Sequence, residues 1–260
     1  MRILLTNDDG IDAPGLDVVE EIAAEIAGPT GEVITVAPAT EKSGVAHCIS
    51  YLSPARIEAR GHNRYAVDGY PADCVLAGIH EVLGGEKPDL ILSGVNKGNN
   101  SAENTLYSGT IGAAMEGALQ GANAIALSQY YGPGNVNLHD QFEASRKTGA
   151  SVVRSILDAN DWGAAPYPIF YNVNFPPVPA SDIRGVKVVA QGRRPVSFRT
   201  SPLKAPSGRE YLWFHGGVQQ DDSGDGTDGT ANLAGYTSVT PMRCDLTAHD
   251  RLASLKAALE

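Results

Sequence analysis

The first fifteen residues, MRILLTNDDGIDAPG, constrain the fold more than any other stretch of the chain. Ile3, Leu4 and Leu5 form an unbroken apolar run, and Asn7, Asp8, Asp9 and Gly10 follow at once. Such a run, with no polar alternation, predicts a strand buried on both faces, as parallel sheets require. Two carboxylates then stand where that strand ends, and in open α/β sheets ligands bind beyond the carboxyl ends of the strands. Adjacent negative charges repel unless something positive sits between them, and a divalent cation is the simplest candidate. Neighbouring side chains on an extended chain point to opposite faces, so Asp8 and Asp9 converge on one ion only if the chain turns there, as Gly10 allows. Asp and Gly are also ordinary turn residues, and from this stretch alone a turn without chemistry is an equal alternative.

The pattern that follows is an α/β rhythm. Leu16, Val19, Ile22, Ala23 and Ile26 recur at helical spacing between Pro14 and Gly28-Pro29, and a second strand is expected at Val33 to Ala37. Strand, helix, strand predicts a parallel pair. A hairpin is expected from Arg56 to Val67, then a helix from Pro71 to Val82, and a third main strand at Asp89 to Leu92. A helix follows Tyr107-Ser108-Gly109-Thr110, a fourth strand spans Ala124 to Ser128, and a long helix lies around Phe142 to Leu157. Pro166 and Pro168 mark a break, after which Ile169 to Phe175 reads as a strong strand with Asn172 and Asn174 on one side. Later strands are expected at Val186 to Ala190, Tyr211 to Phe214 and Thr237 to Thr240, a basic loop at Ser197 to Gly208, and a helix from Ala248 to Leu259. Asp221 to Gly229 has the acids of a calcium loop but lacks the later glutamate of an EF-hand, so it reads as a polar loop. The fold class expected is α/β: a three-layer, Rossmann-like, mostly parallel sheet with an irregular C-terminal β and oligomerisation part. We read residues 1–260 as one domain, with the core at about 1–129 and the C-terminal part at 166–260.

Three loops leave three of these strands, carrying Asp8-Asp9, Ser43 and Asn96. In a parallel sheet all three lie on one edge. Each has an ordinary reading too: Ser43-Gly44 as a turn, and Val95 to Asn100 as a flexible surface loop. Together they offer two carboxylates, a hydroxyl and an amide, a set of oxygen donors suited to Mg²⁺ or Mn²⁺ and unsuited to structural zinc. So sparse a set leaves positions for water and substrate, which fits phosphoryl chemistry. Ser108, Gly109 and Thr110 open a helix, where free backbone N–H groups can seat a phosphate, although Ser or Thr there is usually only a cap. Asn96 would share in binding the substrate, and Lys97 would add charge. Asp8 and Asp9 are the catalytic candidates, Asp9 being the one to orient or deprotonate the attacking water.

Composition narrows the partners. The net charge of −10 argues against a broad surface for long nucleic acid, while leaving room for a small anion beside a bound metal. Cys48, Cys74 and Cys244 are too widely spaced for a disulfide framework or a zinc pair. No apolar stretch approaches the roughly 18 residues of a membrane span, and the N-terminus lacks a signal-peptide pattern. We therefore expect a soluble, reduced, cytoplasmic protein without membrane contacts. NDDGIDAPG lacks the G-x-G-x-x-G of a Rossmann oxidoreductase, and Asp-Asp is not the Asp-x-Asp of haloacid-dehalogenase-type phosphatases. A non-catalytic nucleotide sensor would use the same pocket, and metal-dependent turnover separates the two.

The same residues carry a family resemblance. LLTNDDGIDAPGL resembles the opening of the SurE family, the stationary-phase survival 5′/3′-nucleotidases. APATEKSG, GYPADCV, SGVNKGNN, YSGTIGAAMEG, NVNFP and GYTSVTP are similar to that family's later motifs, in order, across nearly the whole chain. The resemblance implies one divalent metal, Mg or Mn, held in each subunit by Asp8, Asp9, Ser43 and Asn96. It implies hydrolysis of nucleoside 5′- and 3′-monophosphates and, in some members, short polyphosphate. It also implies a homodimer or homotetramer that exchanges C-terminal segments, consistent with an apolar stretch from Leu252 to Leu259. One departure stands out. Where many relatives carry an aromatic or His shortly after the Thr-Asp of the late motif, this chain reads Thr227-Asp228-Gly229-Thr230, which leaves open whether Asp228 or any histidine moves a proton.

Overall fold

The computed structural model describes residues 1–164, 166–194 and 199–260. Its centre is β1 (Arg2–Thr6), flanked by β2 (Glu32–Pro38) and β5 (Leu90–Lys97), both parallel to it, with Ile3 opposite Val33 on one side and Leu90 on the other. The hairpin β3 (Ile57–Ala59) and β4 (Arg64–Val67) extends the sheet beyond β2. On the other side stand β6 (Ala124–Gln129), β7 (Phe170–Phe175), β11 (Thr237–Met242) and β8 (Val186–Val188). The order across the nine strands is β3-β4-β2-β1-β5-β6-β7-β11-β8. Strands β4 through β7 of that order are all parallel, while β3 and β11 run against their neighbours β4 and β7.

The apolar opening run is explained by its two faces. Alternate residues of a strand point opposite ways. Ile3 and Leu5 pack with Leu16, Val19 and Ile22 of α1 (Pro14–Ala27) and Val153 and Ile156 of α4 (Glu143–Ala159). Leu4 packs on the other face with Cys74 and Val75 of α2 (Pro71–Ala77) and Ile111, Ala114 and Ala118 of α3 (Gly109–Leu119). These are the three layers expected. Burying each large side chain is worth about 1.5–3 kcal/mol, so β1 is fixed from both sides and its end is a rigid platform.

The parallel rhythm continues past Gln129. The unit β6-α4-β7 repeats it, with Ile125 opposite Tyr171, and the later strands β11 and β8 join the same sheet. Asn172 and Asn174 of β7 serve the loop after β5: Asn174 Oδ1 accepts from the Asn100 N–H at 2.7 Å, and Asn172 Nδ2 donates to the Asn100 carbonyl at 2.8 Å. The stretch read as a basic loop is instead half of an antiparallel pair, β9 (Arg199–Lys204) with β10 (Glu210–His215), exposed throughout; Ser197 lies outside the described residues. Pro202 masks the strand in sequence, but a two-stranded ribbon consists only of edges, where proline is tolerated. Asp221 to Gly229 leads into a short helix, α5 (Asp228–Leu233), and the last helix, α6 (His249–Leu259), buries no residue. Among the described residues, no helix is long and apolar enough to cross a membrane.

Candidate active site

The turn after β1 is built by Asn7. Its side chain is fully buried, donates from Nδ2 to the Gly10 carbonyl at 2.9 Å, and accepts the Gly10 N–H at 3.2 Å. Gly10 sits at φ +105°, a conformation an L side chain resists. The chain therefore turns within the acidic pair and frees Asp8 and Asp9 from the strict alternation of a strand.

Asp8 points into the protein and is only 4% exposed. Thr110, fully buried at the start of α3, donates its hydroxyl to Asp8 Oδ1 at 2.6 Å and its backbone N–H to Oδ2 at 3.2 Å. Helix and strand meet here because residue 109 is glycine: a Cβ at that position would lie 2.9 Å from Asp8 Cβ and 3.0 Å from Pro71 Cγ and Val45 Cγ2. Ser108 caps the helix, its Oγ accepting the Ile111 N–H at 3.1 Å. Two first-turn donors proposed for phosphate, the hydroxyl and N–H of Thr110, are thus turned to Asp8, and Ser108 and Gly109 stand next to them.

Asp9 is half-buried, and its Oδ2 accepts the backbone N–H of Lys97 at 2.9 Å. The preceding residue, Asn96, donates from Nδ2 to the Gly98 carbonyl at 2.9 Å. On the other side, the Lys42 N–H donates to the Asp8 carbonyl at 2.7 Å, and the following residue, Ser43, is exposed and donates from Oγ to Glu41 Oε1 at 2.7 Å. Each neutral donor therefore lies one residue from a main-chain bond to the acidic pair. Asn96 and Lys97, expected in a loop, are the last two residues of β5; β5 and the loop at Lys42 meet the acidic turn through their backbone N–H groups, while the Ser43 and Asn96 side chains bond to Glu41 and Gly98 close by in sequence.

Electrostatics follow from this burial. The Asp8 carboxyl is pushed up to about 6, chiefly by burial and further by the charge of Asp9, against the pull of the Thr110 hydrogen bonds. Asp9 is also raised, by burial first and by Glu41, while the Lys97 N–H holds it down. In both carboxyls burial is the main cause, since it penalises the charged form. Among the described residues no three His, Cys, Asp or Glu side chains form a metal cluster, so the donors here are two carboxylates supplemented by neutral oxygens. That all-oxygen set fits a hard divalent cation. Asp9 opens onto a cavity of about 340 Å³, also lined by Gly10, Asp12, Glu41 and Lys97. A larger cavity of about 1000 Å³ begins at Ser108 and His47 and runs past Leu106, Met115, Met242 and Leu246.

Two buried charged residues away from the acidic turn tie the framework together, and their partners are not legible in sequence. Asp228 is fully buried, and its carboxylate accepts the N–H groups of Ala102, Gly192 and Gly229 at 3.0, 2.9 and 2.7 Å. It serves as a knot between three segments. Arg194, 1% exposed, ties the same region through Glu103, Asn99, Ser101, Tyr130 and Gln219.

A family model described as Survival protein SurE matches residues 3–197. A protein named 5′-nucleotidase SurE from Cereibacter sphaeroides is 60% identical over 260 residues, covering all of both chains. Another of that name, from Jannaschia sp., is 61% identical over 263 residues, again covering both chains completely. The crystal structure of the SurE protein from Aquifex aeolicus matches the fold with a TM-score of 0.82 at 36% identity, over the whole of both chains. Matched by the family model over residues 3–197 and along its full length by relatives about 60% identical to it, this chain belongs to the SurE family.

Proposed function

We propose that this chain is a metal-dependent 5′-nucleotidase, hydrolysing nucleoside 5′-monophosphates, and also 3′-monophosphates and short polyphosphate, to release phosphate. The observation that carries this is the Asp8-Asp9 pair, gathered with two further loops at one sheet edge, in a chain about 60% identical to proteins named 5′-nucleotidase SurE. Asp8, Asp9, Ser43 and Asn96 would hold one Mg²⁺ or Mn²⁺ per subunit. When bound, the ion supplies Lewis-acid polarisation of a phosphoryl oxygen and acidification of water. Asp8, locked by Thr110, is the fixed ligand. Asp9, opening onto the cavity of about 340 Å³, orients the attacking water and takes its proton. Ser108 and Gly109 face the phosphate at the positive end of α3, and Lys97 adds charge from the end of β5. Asp228, with three N–H groups on its carboxylate, holds segments together and takes no proton in this scheme.

The enzyme is proposed to work as a homodimer or homotetramer inside the cytoplasm, with residues 1–260 acting as one unit. The test is a phosphate-release screen over nucleoside 5′- and 3′-monophosphates and short polyphosphate, with Mg²⁺, Mn²⁺ or chelator. Metal-dependent release from the 5′ esters is expected. Nucleotide binding without release under every condition would instead identify a sensor.

A further inference from the structure

The loop that carries Ser43 is stitched to α3 beyond its main-chain bond at Lys42. Ala46 donates its N–H to the Tyr107 carbonyl at 2.9 Å, just before the helix cap. The Ala46 carbonyl lies against α3 so closely that a Cβ on Gly112 would come within 2.4 Å of it. One residue on, His47 Nε2 lies 2.6 Å from Oε2 of Glu116, whose other oxygen accepts from Gln120 Nε2 at 2.7 Å. Glu116 is 6% exposed. Burial pushes its carboxyl up, but the hydrogen bonds from His47 and Gln120 outweigh that and hold it below its usual range. Glu116 therefore stays charged on the helix that also carries Thr110, and it needs a donor from the loop. A buried carboxylate bonded at this distance is a strong, directional anchor. Its loop partner is four residues from Ser43.

We propose that the His47–Glu116 pair is a positioning pair that sets the Ser43 loop against α3, and so fixes the spacing between the Ser43 and Asp8 donors of the metal centre. This rests on the reading of Ser43 and Asp8 as metal ligands. In this scheme the pair is no ligand of the ion and acts through the 43–47 backbone. Outer partners that orient ligands typically change metal affinity by about 10- to 100-fold when removed.

The test compares full-length wild type, His47→Ala, His47→Gln, Glu116→Gln and Ser43→Ala. Two readouts are taken: the Mn²⁺ concentration giving half-maximal phosphate release, and the thermal upshift produced by Mn²⁺ without substrate. We expect His47→Ala to raise the half-activating Mn²⁺ about tenfold and to shrink the upshift. Its kcat at saturating Mn²⁺ should stay within about threefold of wild type, and His47→Gln, which keeps a donor, should recover most of the loss. Should His47→Ala not fold, Glu116→Gln gives the same shift in smaller measure. A folded variant lacking the pair with wild-type half-activation and wild-type Mn²⁺ upshift would overturn the proposal, whatever its melting temperature, and so would a Ser43→Ala protein with unchanged Mn²⁺ response. A wild type stabilised by Mn²⁺ but releasing no phosphate would sink the nucleotidase reading alone, since the upshift still reports on the pair.

Discussion

Thr110 gives Asp8 both of its donors, the hydroxyl at 2.6 Å and the backbone N–H at 3.2 Å, across 102 residues of sequence. This joint fixes the carboxylate in one rotamer at the end of the central strand. It also opposes the burial that drives the Asp8 carboxyl up to about 6. The helix start thus holds the first metal ligand in place, in addition to any role toward phosphate.

Thr110→Val keeps the shape of the side chain and removes the hydroxyl. Asp8 then loses the strongest force pulling its pKa down and holds its proton more tightly. We expect the half-activating Mn²⁺ at neutral pH to rise by about tenfold or more, with Thr110→Ser close to wild type. Metal titration of phosphate release checks this; equal metal requirements in Val and wild type would refute it.

Asp8 also sets the pH dependence of the metal-free fold. Its carboxyl stands at about 6 in the folded chain against an ordinary 3.8. Between those values the folded state binds a proton that the unfolded state has released, so stability falls as pH rises through that window. Above it the full cost, about 3 kcal/mol, is present. Asp8→Asn removes the cost while keeping an acceptor for Thr110. In chelator the variant should melt higher than wild type at pH 7.5, with the gain shrinking as pH falls toward 4. Adding Mn²⁺ should stabilise wild type and not the variant. Melts from pH 4 to pH 8 test both signs, and a variant that melts lower at pH 7.5 contradicts the argument.

Gly109→Ala tests the close approach of α3 to the acidic turn. The new methyl would meet Asp8 Cβ at 2.9 Å, and Pro71 and Val45 at 3.0 Å. Alanine is otherwise the better helix former, so a loss here isolates the steric term. Overpacking of this kind costs about 1–3 kcal/mol. Activity should fall about 100-fold because the displaced atom is on the ligand itself. Urea unfolding and phosphate release measure the two; unchanged activity would show that the contact yields without moving Asp8.

How much of this was readable in the chain depends on range. The strand into Asp8-Asp9 was legible because an apolar run and the acids after it are adjacent, and the parallel pairing of Ile3 with Val33 follows from the same rhythm. The Ser108 cap was legible because capping is local. Thr110 facing Asp8 and His47 facing Glu116 span 102 and 69 residues and leave no periodic trace. Of the β9–β10 ribbon, the strand at Tyr211 to Phe214 was legible, while β9 was missed because Pro202, Ser207 and Gly208 carry the composition of a loop and its outcome rests on pairing with Glu210 to His215. The late Thr227-Asp228 motif left open whether Asp228 moves a proton, because burial under three N–H groups is invisible in sequence.

The proposed oligomer has a physical motive in two exposed apolar elements. The β9–β10 ribbon leaves Trp213 63% and Phe214 73% exposed, and α6 leaves Leu255 57% and Leu259 77% exposed. Large exposed apolar side chains grouped on one element are the material from which association surfaces are made. Light scattering at micromolar concentration should give at least twice the chain mass of 27.3 kDa. A monomer under those conditions would count decisively against the assembly.

Asp9→Asn is the sharpest test of the centre. The amide keeps the size of the side chain, and its Oδ1 can still accept the Lys97 N–H that Asp9 accepts at 2.9 Å. The turn built by Asn7 and Gly10 does not involve the Asp9 side chain, so the fold should be unchanged. What is lost is one negative charge in the lining of the cavity beside the turn, and with it both a strong ligand for a hard cation and a base for the attacking water. The same change would be nearly neutral if residues 8–10 were only a turn, because Asn serves turns as well as Asp. We expect phosphate release at saturating Mn²⁺ to fall by about 10³-fold or more, with the circular dichroism spectrum and melting temperature retained. Raising pH should not restore activity, since the missing group cannot be ionised. A folded Asp9→Asn protein with turnover near wild type would remove Asp9 from the mechanism and leave the acidic turn without its proposed chemistry.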